Sequence, residues 1–194
     1  MADDDRKKRP DKRRPKIPRK VTATSLENAA LYYLGRYATS SENLRQVLLR
    51  RIGRAAKHHD TDLEACALMV DDLIGRYLKS GLLDDVAYAR AQSASLNRRG
   101  KAVRAIRGWL RQKAVPAGII DDAIKTLSEE IGEPDLAAAI AYARRRRFGP
   151  YRKEEKPPES LNKELAAFAR SGFSYALARR IVEASDIDEL ENAL

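Results

Sequence analysis

The chain has 194 residues, 34% of them charged and only 6% aromatic, with a formal charge of +10. A single cysteine, Cys66, excludes an internal disulfide framework, and no apolar run is long enough to cross a bilayer. Residues 1–24 carry ten Lys/Arg against four Asp, so the remaining residues hold a net charge of only +4.

That first stretch has prolines at 10, 15 and 18 and no apolar periodicity, which predicts a disordered basic arm over residues 1–24. It lacks the apolar core of a secretory signal, and its aspartates do not suit a transit peptide, so the expected compartment is the cytoplasm. From residue 25 the pattern turns helical. Leu26, Ala30, Tyr33, Leu34 and Tyr37 recur at helical steps after a candidate cap at Ser25. The break Thr39-Ser40-Ser41 precedes a second helix with Leu44, Val47, Leu48 and Ile52 on one face. A polar loop over residues 53–60 follows. Thr61 and Glu64 have capping-box spacing before a stripe of Cys66, Met69, Val70, Leu73, Ile74, Tyr77 and Leu78, which ends at Gly81.

The cycle then repeats. Asp84 or Asp85 opens a helix carrying Tyr88, Ala91, Ser95 and Leu96, which stops near Gly100. Val103, Ile106, Trp109 and Leu110 mark the next helix. Pro116 stands at the first turn of a helix bearing Ile119, Ile120, Ala123, Ile124 and Leu127. A third cycle begins at Pro134 with Leu136, Ile140 and Ala143. It continues past a Pro/Glu/Lys linker at 149–158 into Leu161, Leu165 and Phe168, then Ser174 with Leu177, Ala178, Ile181 and Val182. Asp186 and Glu189 have capping-box spacing for a last short helix. The junctions Leu110-Arg111-Gln112-Lys113-Ala114-Val115-Pro116 and Phe168-Ala169-Arg170-Ser171-Gly172-Phe173-Ser174 share one pattern of anchor, basic turn, small residue, apolar residue and helix starter. These features predict an all-α, elongated monomer: a tandem array of three-helix units over 25–83, 84–130 and 131–194.

Chemical sites are sparse. His58 and His59 are adjacent and would diverge by about 100° on a helix, so they do not form a metal pair. Gly100-Lys101 resembles the end of a phosphate loop, but Ala102 replaces the required hydroxyl and Ser95 replaces the first glycine. The acid pairs Asp71-Asp72, Asp84-Asp85 and Asp121-Asp122 fit caps and polar helix faces. No base-plus-nucleophile pair stands out, and no cofactor is implied. The second helix of a helix-turn-helix over 101–127 would be apolar and acidic, a poor face for a major groove.

Basic surface is the positive signal. Between positions 98 and 113 stand Arg98, Arg99, Lys101, Arg104, Arg107, Arg111 and Lys113, with no acid among them. Arg104, Arg107 and Arg111 fall on one helical face. A second cluster, Arg144, Arg145, Arg146 and Arg147, exceeds what helix-dipole compensation requires, with Arg152 and Lys153 just beyond. Both clusters are candidates to meet phosphates or carboxylates. Trp109 and Tyr88 read as packing residues, because aromatics are too few for a base-stacking platform.

The order and spacing of Gly81-Leu82-Leu83-Asp84-Asp85, Tyr88-Ala89, Arg99-Gly100-Lys101, Ile106 and Leu110-Arg111-Gln112-Lys113 resemble the central signature of the RecX family. The likeness extends over roughly residues 25–185 and is most specific in the central cycle. It departs at the loop over 53–62, which is longer than the family's turn, and at Ala114, where glycine is common. The resemblance implies three tandem three-helix repeats in a curved array. It also implies a non-enzyme that binds the RecA filament on single- or double-stranded DNA and chiefly inhibits RecA's recombinase, ATPase and co-protease activities. The competing expectations are a general DNA-binding module indifferent to RecA and an enzyme of unrecognised type.

Overall fold

The computed structural model describes residues 17–152 and 159–192, so residues 1–16 of the arm and 153–158 of the linker, Lys153 included, lie outside it. The described residues form ten α-helices and one 3-10 turn, without a strand, in agreement with the all-α expectation. Helices α1 (Ala23–Leu34), α2 (Ser41–Ala55) and α3 (Leu63–Lys79) close around Leu26, Leu44, Leu48, Ile52, Val70 and Leu73. Helices α4 (Asp85–Arg98), α5 (Val103–Gln112) and α6 (Ala117–Ile131) enclose a second cluster around Ile106, Leu110, Ile120 and Leu127. Helices α7 (Pro134–Arg146), α8 (Glu159–Arg170), α9 (Tyr175–Glu183) and α10 (Ile187–Glu191) surround a third, in which Phe168 and Ile181 are fully buried.

Caps set the helix starts, and several lie one to three residues from the sequence expectation. Thr22, not Ser25, caps α1: the Thr22 hydroxyl accepts from the Ser25 amide, and Ser25 accepts from the Thr22 amide in return. Asp62, not Thr61, caps α3. Asp84 caps α4, which leaves Asp85 free for another task. Pro116 occupies the cap position of α6, one residue before its first turn. Helix α2 runs through Gly53 to Ala55, into the expected loop, because its last turn delivers Ala55 to the interior. The expected stripes were also too wide. Tyr37 lies beyond the end of α1, and Met69, Leu78 and Ala91 are exposed, since each helix buries only the edge that meets its neighbours.

Two joints link the three clusters, and they share one plan. At the first, the Asp85 carboxylate accepts from the Ser41 amide and hydroxyl, so α4 caps the start of α2. Ser40 meanwhile donates to the carbonyl of Lys113 at the end of α5. At the second, Asp135 near the start of α7 accepts from the Val103 amide and caps α5, whose own Ala102 supplies no side-chain cap. Gly172 at the end of α8 packs on Ala102 and Ala105 of α5. Both joints thus set a carboxylate on the start of a neighbouring helix; the first adds a hydroxyl contact and the second adds apolar contact. Asn97 adds to the second by donating from its buried amide to the Pro134 carbonyl.

One ion pair is interior. Glu164 on α8 is 2% exposed; it accepts two hydrogen bonds from Arg152 and one from the Gly149 amide. Arg152 is therefore a structural partner, not a free member of the basic surface. Removing one member of such a pair strands the other, which costs about 3 kcal/mol or more. Arg152→Ala, which leaves the buried Glu164 carboxylate without its guanidinium, is expected to lower the urea midpoint accordingly, and an unchanged midpoint would contradict the assignment.

Candidate functional interface

The sequence-predicted basic residues divide by their surroundings. Arg98, Lys101, Arg104 and Arg111 are exposed and make no ion pair among the described residues. Arg107 instead leans onto Asp121 of α6. Arg99 donates to the Ser95 hydroxyl one turn back. Lys113 is half-buried, with its ammonium 5.6 Å from the Trp109 ring centroid. In the second cluster the guanidiniums lie over rings: Arg144 over Tyr151, Arg145 over Tyr142 and Arg146 over Phe148. Such stacking holds a guanidinium in place. Arg147 takes the left-handed position that ends α7.

The fold brings the two clusters together. Arg145 donates to the carbonyl of Arg99, so the C-terminal ends of α4 and α7 meet and their arginines form one basic surface. Helix α5 starts beside this corner. It presents Arg104 and Arg111 on one edge, and Arg107 beyond them is neutralised by Asp121. On the other edge Trp109 is stacked on Tyr88, with centroids 6.3 Å apart. Burial pushes the Tyr88 phenol up to about 12, so it stays protonated at any physiological pH and serves as packing. Between the two edges runs a trough of about 250 Å³ lined by Leu96, Lys101, Ala105, Gly108, Trp109 and Gln112.

The signature residues have structural tasks. Gly81, Leu82 and Leu83 form the turn after α3, where Leu83 is buried and Leu82 exposed. Asp84 caps α4, Asp85 holds the first joint, and Gly100 lies against the Tyr142 backbone at the second. Tyr88, Ile106 and Leu110 belong to the second core.

Sequence reasoning missed a second basic feature. A cleft of about 450 Å³ between α1 and α2 is lined by Arg19, Arg51 and Arg54 together with Tyr32 and Tyr33. Tyr32 is 63% exposed beneath the Arg36 guanidinium. The signal was present in Arg51 and Arg54 at one-turn spacing, but Glu42 nearby made the helix read as a mixed solvated face. In the fold Glu42 turns to Arg45, away from the cleft. Among the described residues no group of His, Cys, Asp and Glu is placed to hold a metal ion, and no helix is long and apolar enough to cross a membrane.

Comparison with known proteins places this geometry. No family model matches the chain. The regulatory protein RecX of Myxococcus xanthus is 40% identical over 180 residues, covering 91% of this chain and 95% of that protein. The regulatory protein RecX of Agrobacterium fabrum is 31% identical over 169 residues, 86% of each chain. The crystal structure of RecX from Lactobacillus salivarius superposes with a TM-score of 0.58 at 19% identity, over 88% of this chain and 97% of that one. A second crystal structure of a regulatory protein RecX gives 0.56 at 22% identity, over 84% and 72%. The two structural matches are likenesses of fold.

Proposed function

This chain belongs to the RecX family, and from that premise we propose that it is a non-catalytic regulator that binds the RecA filament on DNA and inhibits RecA. The observation that carries the reading is kinship along nearly the whole chain with proteins named regulatory. The geometry supplies a means. We read the three cores as three-helix repeats joined twice by one plan, which sets exposed arginines on a stacked scaffold. Arg98, Arg99, Lys101, Arg104 and Arg111, with Arg144, Arg145, Arg146 and Arg147, would meet the acidic side chains and phosphates that a protein–DNA filament offers together.

The rival reading, a DNA-binding module indifferent to RecA, draws on the same arginines and on the α1/α2 cleft. One assay separates them. RecA-catalysed ATP hydrolysis on single-stranded DNA is expected to fall as this protein is added below the DNA-site concentration, where competition for bare DNA is negligible. Hydrolysis that falls only when the protein saturates the DNA would favour the rival.

A further inference from the structure

The trough beside the arginine edge is not explained by charge alone. We propose that it seats one apolar side chain projecting from an acidic segment of the protein partner, so that α5 recognises a hydrophobic residue flanked by carboxylates. This inference rests on the reading that α5 faces RecA and specifies what that face recognises. Leu96, Ala105 and the Trp109 ring form the apolar part of the trough's lining, Lys101 and Gln112 the polar part, and Gly108 lies in the middle of the outward face of α5. At 40° to 60° around the helix to one side lie Arg104 and Arg111, and at similar angles to the other lie Gln112 and Ala105 (successive residues turn by about 100° on a helix). The apolar recess and the unpaired cations therefore border each other along Gly108.

The recess is side-chain sized; ligand pockets run to about 300–1,000 Å³. Its chemistry favours a protein occupant over a nucleic acid. The one aromatic in its wall, Trp109, already stacks on Tyr88 and lies under the Lys113 ammonium, so it is engaged and does not serve as a base platform. Aliphatic walls gain by desolvating an aliphatic or aromatic side chain, and they gain little from a phosphate. The neighbouring arginines supply the complementarity: among the described residues Arg104 and Arg111 have no carboxylate of their own, and the sequence places no acid between positions 98 and 113.

Gly108 makes the test clean. A Cβ built there meets nothing within 4 Å, so a side chain can start from the lining of the trough without a clash at its first atom. Gly108→Leu fills the recess and leaves every charge in place; Gln112→Trp blocks it from the other side. Both are measured in the full chain for affinity to RecA assembled on single-stranded DNA and to the same DNA alone, with circular dichroism melts to confirm folding. The proposal expects each variant to lose at least tenfold in affinity for the filament while its affinity for bare DNA changes less than twofold. Filament affinity unchanged in both variants overturns the recess as a docking seat. If Arg104→Glu with Arg111→Glu abolishes binding in that case, the reading of the α5 face stands without the recess. Equal losses on filament and bare DNA assign the trough to nucleic acid and overturn a protein occupant.

Discussion

Gly100→Ala is expected to destabilise the chain by about 3 kcal/mol, a large fraction of the 5–15 kcal/mol that holds a typical domain together. Two effects add. The residue sits at φ +74°, where a Cβ costs about 1–2 kcal/mol. That Cβ would also lie 2.8 Å from the amide nitrogen of Tyr142 and 3.0 Å from its Cα. These are backbone atoms inside α7, so no side chain can rotate away. Relief requires α4 and α7 to separate, which strains the joint by roughly a further 1–3 kcal/mol. A melting temperature lower by about 10 °C follows for a chain of this length. Gly108→Ala is the matched control: it is mid-helix with open space around it, and Ala should stabilise by up to about 1 kcal/mol. A Gly100→Ala protein that melts with the parent would mean that the close approach of α4 and α7 is wrong.

That joint shows what was legible in the sequence. The helices were, because apolar residues at three- and four-residue steps are a local signal and each short element had a visible stop. The family-like motif was legible as a pattern but not as a mechanism. Nothing in Arg99-Gly100-Lys101 says that its glycine lies against Tyr142, forty-two residues on, because contact across a joint leaves no periodicity. The same holds for Asp85. Sequence offered it as an alternative cap for its own helix, whereas its carboxylate caps α2. Ala114 is the complementary case. It adopts a positive φ of 54° at the turn where the family commonly has glycine, and the turn closes by the same hydrogen bonds as the one at Gly172. The departure is therefore a local strain of about 1–2 kcal/mol and leaves the turn intact.

The basic surface was legible as composition, while its pairing was not. Arg107 and Arg152 looked equivalent to their neighbours along the chain, yet Asp121 and Glu164 claim them across distances no helical step encodes. Stacking of Arg144, Arg145 and Arg146 on aromatics was equally invisible, because Tyr142, Phe148 and Tyr151 fall in none of the apolar stripes the sequence marks. The α1/α2 cleft escaped notice for a related reason: its arginines come from α2 and from the segment before α1, and only packing brings them to one opening.

Those pairings decide which arginines to reverse. Placing a carboxylate at Arg107 would set it against Asp121 and confound binding with local repulsion, so the informative variant is Arg104→Glu with Arg111→Glu. It is expected to lose inhibition of RecA, with filament affinity lower by at least tenfold, through lost charge-assisted hydrogen bonds and new like-charge repulsion. Stability should move by no more than about 0.5 kcal/mol, since both side chains are exposed and unpaired among the described residues. Reversal of Glu129 and Glu130 on the exposed part of α6 serves as the control and should leave inhibition unchanged. Salt dependence then tells carboxylates from phosphates. If the two arginines contact DNA in the filament, the slope of log affinity against log salt should flatten by about 0.7 per contact on a single strand or 0.9 on a duplex. If they contact acids of RecA, affinity should fall at every salt concentration with a smaller change in slope, because no condensed counterions are released. A folded double variant that inhibits like the parent would remove α5 from the interface and move attention to the ring-stacked arginines at the end of α7.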